Sequence, residues 1–288
     1  MKQYSEAEIQ EMTAFYEEHG VVKLVGLIEP EWVDRILDAI DETAKLAVEP
    51  QPADRDLSFG RAEGRMTIRY MWRDVPIVRE FLMRPELANV IARIVGTSQL
   101  RLWFDLTFIH NAAPAGEMGA GTPWHHDIAA FTFKGQQLPS LWMAMTPATA
   151  ERSRLMFIDR SHKTVPGYYR TPENPAPTDG SRDGFLDAPD FDKLVAEGRE
   201  NIITWDCEPG DAILIHPYVV HGAHGNKGGL GGRRVAITTR WLGDDVRFLP
   251  TYWHKAEKAV GIAKSELSYG SRAQGEYFPV VYDDKAAV

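Results

Sequence analysis

The chain has 288 residues, 44% hydrophobic and 25% charged, which is enough apolar sequence for a full core and places it in the ordinary globular class. Its 32 Lys and Arg against 41 Asp and Glu give a formal net charge of −9, and no basic block is available to neutralise a phosphate backbone, so nucleic acid is not an expected partner. Cys207 is the only cysteine, which excludes a disulfide framework and cysteine-based zinc sites; any metal must be held by histidine and carboxylate.

In chain order, the stretch SEAEIQEMTAFYEEHG sets Ser5 three residues before Glu8 and stops at Gly20, which predicts a capped helix over residues 6–18. VVKLVGLI reads as a strand. Pro30 then opens a segment that repeats Val33, Ile36, Leu37, Ile40 and Ala44 on one face, an amphipathic helix. Residues 76–95 are helical in pattern. From about residue 100 the rhythm becomes short β runs: LRLWFDLTFIH, SLWMAMTP, RLMFID, NIITWDCE, DAILIH and RRVAITTRWLG. The opening segment has no apolar signal core and no window is long enough to span a bilayer, so a cytoplasmic protein without membrane contact is expected.

No linker or repeat divides the chain. One domain over residues 1–288 is expected, with a helical part at 1–98, a β core at 99–245 and a tail at 246–288. Residues 165–200 are rich in Pro, Asp and Gly and longer than an ordinary connection, which suggests a lid. Tyr252, Trp253, Tyr269, Tyr277 and Phe278 of the tail offer aromatic surface for a ligand or for the core. Along LRLWFDLTFIH, Leu102, Phe104, Leu106 and Phe108 form the side suited to packing under helices, and Trp103, Asp105, Thr107 and Ile109 form the other. Along RRVAITTRWLG, Val235, Ile237 and Trp241 alternate with Arg234, Ala236, Thr238 and Arg240, so the polar set looks away from the helices. A sandwich or barrel with a lined interior follows.

The stretch TPWHHDIAAF places two histidines and an aspartate together. Residues two apart on a strand point the same way, so His125 and Asp127 converge while His126 faces the opposite side. Another histidine would complete a two-His-one-carboxylate set, which leaves coordination positions open and suits non-haem Fe(II) oxygenases. His216, His221 and His224 are all candidates, and spacing alone does not choose among them.

With TPWHHD, SLWMAM, RSHK, WDCEPGDAILIHPYVVHGAHGN, RRVAITTRWLGDD and YFPVV in order from about residue 100 to 281, the chain resembles the phytanoyl-CoA dioxygenase family of Fe(II)- and 2-oxoglutarate-dependent oxygenases. The resemblance implies a mainly β fold with flanking helices around a double-stranded β-helix, a jelly-roll or cupin-like core. It implies metal ligands at His125, Asp127 and His221. It puts the arginine that grips the far carboxylate of 2-oxoglutarate at Arg234, and lines the co-substrate pocket with Trp142. Thr122, Thr107 and Arg69 are further candidate co-substrate contacts, and Asp105 a pocket candidate; each reads equally well as an ordinary strand or loop residue. His162 and Arg240 have less to recommend them. Two departures stand out: His126 sits where Gln is common, and Arg160 replaces the Gly of a usual Gly-Ser-His.

The resemblance further implies Fe(II), 2-oxoglutarate and O₂ as the reacting set, with succinate and CO₂ released and hydroxylation of a small organic molecule as the default outcome. With Asp127 present, no ligand position is free for a halide. A free small molecule is a better expectation than a thioester, because no basic cluster suits the phosphates of coenzyme A. Two other classes use parts of the pattern: a zinc hydrolase, with no need for the arginine, and a non-catalytic cupin-like metabolite-binding module. A homo-oligomer is compatible with the sequence, which says nothing further about assembly.

Overall fold

The computed structural model describes residues 1–48, 55–62, 64–165, 167–170, 185–229, 232–250, 262 and 265–287. The first part comprises α1 (Glu6–His19), β1 (Val21–Leu24), α2 (Pro30–Lys45), β2 (Ser58–Ala62), β3 (Arg65–Arg69), α3 (Met71–Asp74), α4 (Pro76–Leu82) and α5 (Pro85–Val95). Then follow β4 (Gln99–His110), β5 (Thr122–His125), β6 (Phe133–Lys134), β7 (Ser140–Ala144) and β8 (Leu155–Ile158). Next come α6 (Ser161–Thr164), β9 (Tyr168–Arg170), β10 (Phe185–Asp187), α7 (Phe191–Ala196), β11 (Ile202–Thr204) and β12 (Ala212–Ile215). The last strands are β13 (His221–Ala223), β14 (Arg234–Leu242), β15 (Arg247–Phe248) and β16 (Val280–Asp283).

Local chemistry explains the helix limits. At α1 the Ser5 hydroxyl accepts from the Glu8 N–H at 3.2 Å, the Glu8 carboxylate accepts from the Ser5 N–H at 2.8 Å, and Gly20 ends the helix at φ 76°. The predicted helix over 76–95 is two helices, because Pro85 cannot continue the hydrogen-bond ladder and starts α5 instead. No helix among the described residues is long and apolar enough to cross a membrane.

Among the described residues the strands form two main antiparallel sheets. The larger has the order β1-β12-β7-β14-β4-β3-β2, with β16 also paired to β4; the smaller runs β11-β8-β13-β5. Residues directly opposite one another project to the same face, which sorts every side chain. Ile36, Ile40, Phe81, Ile91 and their helical neighbours pack with Leu141, Leu214, Val235 and Ile237 on the outer face of the large sheet. Its inner face contributes Val21, Trp142, Ile213 and Ala236 to a second cluster, closed by Leu155, Phe157 and Ala223 of the small sheet. The result is a jelly-roll sandwich with helices on one side.

One face expectation is reversed. Leu102 does pack under the helices, but Phe104, Leu106 and Phe108 line the inner face, while Asp105, Thr107 and Ile109 look toward the helices. The cause is a bulge: Arg240 lies opposite Phe104 and Trp241 opposite Leu102, so Trp103 is an extra residue that shifts the alternation by one. Trp103 turns inward against Phe131 and Phe133.

The lid-like stretch is only partly within the described residues, since 166 and 171–184 lie outside them. Part of what is described packs: β9 and β10 pair in parallel, and Tyr169 and Phe191 join Ile158 and Val220 on the outer face of the small sheet, while Leu186 is exposed. Of the tail aromatics, Tyr277 and Phe278 are core, Tyr269 is exposed, and Tyr252 and Trp253 lie outside the described residues.

Candidate metal centre and co-substrate pocket

β5 and β13 are antiparallel neighbours with His125 opposite His221, so the pairing sets two imidazoles side by side, ring centroids 4.2 Å apart. Asp127 is not on the strand: it opens a 3-10 turn immediately after it, which brings its carboxylate in beneath the two rings. One atom from each of His125, Asp127 and His221 falls within 4.8 Å of the others, and Oδ1 of Asp127 is 3.9 Å from Nε2 of each histidine.

The histidines are held ready. Nδ1 of His125 donates to the Pro123 carbonyl at 2.8 Å, and Nδ1 of His221 to the Val219 carbonyl at 3.1 Å. A carbonyl only accepts, so the proton is on Nδ1 and the lone pair of each Nε2 faces the shared space. Burial, with His125 beside it, lowers His221 to about 3, so its ring is neutral at ordinary pH. Burial alone would raise Asp127, but the Arg240 guanidinium and the two imidazoles outweigh it and hold the carboxyl well below the usual range. Its second oxygen accepts from Ser140 Oγ at 2.7 Å and lies 3.2 Å from Nη2 of Arg240. Two imidazole nitrogens and one carboxylate oxygen, anchored from behind, fit an iron(II) ion with open positions.

Arg234 opens β14 on the inner face and is 2% exposed. Its Nη2 donates to Ser153 Oγ at 3.2 Å, its guanidinium lies 5.7 Å from the Trp142 ring centre, and its Nε has no hydrogen-bond partner. Desolvation, with Arg65 nearby, lowers it to about 10. No carboxylate pairs with it among the described residues. A buried cation without a counterion is costly, and a dicarboxylate reaching from the metal would relieve it. Arg233 points to the helical side and pairs with Asp41 at 2.5 Å.

Of the remaining candidates, Trp142 lies on the inner face opposite Thr238. Thr122 is half-buried opposite Ala223, which shares the Trp142 cluster. Arg69 lies on the inner face opposite Leu106, three strands away from Trp142. Thr107 is not in the pocket. It faces the helices and donates to Met71 Sδ at 3.3 Å, a displacement caused by the β4 bulge. Asp105 is on the same wrong side, accepting from the Met71 and Trp72 N–H groups at 3.1 and 2.9 Å.

His126 is turned from the metal, its Nε2 accepting from the Tyr169 N–H at 2.8 Å. His216 packs against Tyr16 and His162, whose Nε2 donates to the Glu17 carbonyl at 3.1 Å, and His224 is exposed. Sequence reasoning passed over Ser140 and gave Arg240 little weight. The usable signal was parity: Ser140 is two residues before Trp142, and Arg240 is an even number of residues after Arg234.

The chain is similar to proteins of one family and to several solved structures. A family model described as Phytanoyl-CoA dioxygenase (PhyH) matches residues 16–235. The probable phytanoyl-CoA dioxygenase of Caenorhabditis elegans is 25% identical over 276 residues, 90% of this chain and 85% of its own. The peroxisomal phytanoyl-CoA dioxygenase of Homo sapiens is 23% identical over 267 residues, 88% of this chain and 75% of its own. Among solved structures, the epimerase SnoN in complex with Fe3+, alpha ketoglutarate and nogalamycin RO superposes with a TM-score of 0.71 at 19% identity, covering 96% of this chain and 100% of that one. EctD from S. alaskensis with 2-oxoglutarate and 5-hydroxyectoine gives 0.63 at 16% identity, with 94% and 88% covered. With the model matching most of its length, this chain belongs to the phytanoyl-CoA dioxygenase family, and it is a 2-oxoglutarate-dependent non-haem iron dioxygenase.

Proposed function

We propose that this protein hydroxylates a free small organic molecule rather than a coenzyme A thioester. The observation that carries the reading is the pairing of the His125, Asp127 and His221 cluster with a buried arginine, Arg234, that has no counterion and shares the enclosed face of the sandwich. A zinc hydrolase makes no use of such an arginine. Two structural neighbours hold small organic molecules, nogalamycin RO in one and 5-hydroxyectoine in the other, which supports the substrate size.

Iron(II), when bound, supplies the reduction of O₂ coupled to conversion of 2-oxoglutarate to succinate and CO₂, with the second oxygen atom entering a C–H bond of the substrate. The chain's own residues set the conditions. Nε2 of His125 and His221 and Oδ1 of Asp127 would hold the ion, leaving the other positions free. Ser140 and Arg240 occupy Oδ2 of Asp127 and so favour binding through one oxygen. Arg234 would fix the far carboxylate of the co-substrate by two parallel N–H donors, while Trp142 flanks it and excludes water.

The test has two steps. Anaerobic protein with Fe(II) and 2-oxoglutarate should develop a weak visible charge-transfer band, and succinate release should then rise with a true substrate from a panel of small molecules. No band in the well-folded protein refutes the reading.

A further inference from the structure

Among the described residues the small sheet covers only part of the large one. Trp142, Ile213 and Ala236 are sealed beneath Leu155, Phe157 and Ala223, but on β4 the inward side chains of Phe104, Leu106 and Phe108 are only half-buried. Phe104 meets the rings of Tyr70 and Trp103, while Leu106 and Phe108 keep apolar surface that an apolar ligand would cover. This strip adjoins the metal cluster: Arg240 lies opposite both Phe104 and Ser140, and Arg240 and Ser140 both contact Asp127.

Beside the strip, Arg69 on β3 is directly opposite Leu106 and shares its face. Two residues of strand rise and one strand spacing separate its Cα from that of Phe104, about 8 Å in all. Among the described residues its guanidinium makes no hydrogen bond and no ion pair. Arg73, a few residues on, pairs with Asp56 at 3.0 Å, and Arg65 donates to the Gly121 carbonyl at 2.9 Å. Arg69 is solvent-exposed, yet desolvation by the surrounding protein lowers its pKa below the usual arginine value. Its strand stands three places from Trp142, whereas Arg234 lies over the Trp142 ring, so the two arginines serve different parts of the chamber.

The geometry points to a substrate with an apolar, preferably aromatic, body and one carboxylate: the body lies along Phe104, Leu106 and Phe108, and the carboxylate pairs with Arg69. This deepens the hydroxylase reading and rests on it. The apolar strip places the body next to the metal cluster, and Arg69 fixes which end of the molecule is held away from it, so oxidation falls on the chain or ring rather than on the carbon bearing the acid group.

The experiment is calorimetric titration of the anaerobic protein, loaded with Fe(II) and 2-oxoglutarate, with phenylalkanoates of one to four methylenes and with the matching amides. At least one acid should bind tenfold or more tightly than its amide. Arg69→Gln should abolish that preference, while leaving amide binding and the 2-oxoglutarate titration within about twofold of wild type. Arg61→Gln should change neither, because Arg61 lies opposite Met66 on the other face of the same hairpin. Equal binding of acid and amide, absence of binding by every probe, or a loss of 2-oxoglutarate affinity in Arg69→Gln overturns the substrate class. The visible band without probe keeps the two readings apart: if it forms in wild type, the hydroxylase reading survives whichever way the probes fall.

Discussion

Nη2 of Arg240 lies 3.2 Å from Oδ2 of Asp127, the carboxylate oxygen that does not face the two imidazoles. The pair is buried, with side chains 7% and 10% exposed, and Ser140 completes the grip on the same oxygen. A ligand anchored from behind keeps its orientation when the ion leaves. Arg240→Gln should therefore weaken Fe(II) by about 10- to 100-fold, and Ser140→Ala by the lower end of that range, the usual cost of losing such support. Anaerobic titration against a competing chelator measures it; unchanged affinity in both variants removes the anchoring role.

Arg234→Lys keeps the charge but loses the planar fork, and should raise the KM for 2-oxoglutarate about tenfold, equivalent to roughly 1.4 kcal/mol. Arg233→Lys, on the other face and paired with Asp41, should change it by less than about threefold. Thr107→Val should leave it unaltered, since Thr107 serves the helical side. Initial rates at varied 2-oxoglutarate under one iron and oxygen concentration decide all three.

His126 separates two structural tasks. It does not face the metal, so His126→Ala should keep iron affinity within about twofold. The same substitution removes the acceptor of the Tyr169 N–H and a ring stacked 5.2 Å from Tyr169. Hydrogen exchange at residues 168–170 and 185–187 should speed up. Slower or identical exchange would mean that β9 is held by other contacts.

Burial raises Asp105 to about 7, in spite of its two backbone donors. Its folded pKa exceeds its unfolded one, so between about pH 4 and 7 the native state holds the extra proton and this group's contribution to stability falls as pH rises. Asp105→Asn cannot lose that proton. Melting temperatures from pH 5 to 8 should decline more steeply in wild type than in the variant, and parallel curves would refute the assignment.

The clustering of His125 with Asp127 was legible because the chemistry restricts residue type and because i, i+2 spacing converges on a strand and survived the turn at Asp127. The third histidine needed the family pattern, since only the fold pairs β13 with β5. The faces of β4 were not legible: both carry apolar residues, so no alternation exposes the extra residue at Trp103. Asp105 and Thr107 look like pocket residues by composition, yet Asp105 satisfies the amide groups that open α3, a demand seen only once that helix is placed. The Arg240–Asp127 contact joins distant segments and was hidden for the same reason.

The spacing along β14 also governs which length changes the protein can absorb. Arg234 and Arg240 lie on one face, and Val235 and Ile237 pack beneath the helices on the other. Deleting or inserting a single residue between the two arginines would exchange the faces for one of them, driving a guanidinium into the apolar layer and an aliphatic side chain into the chamber. A surface connection can gain or lose residues one at a time. This strand can do so only in pairs, or by adding a second bulge that restores the count.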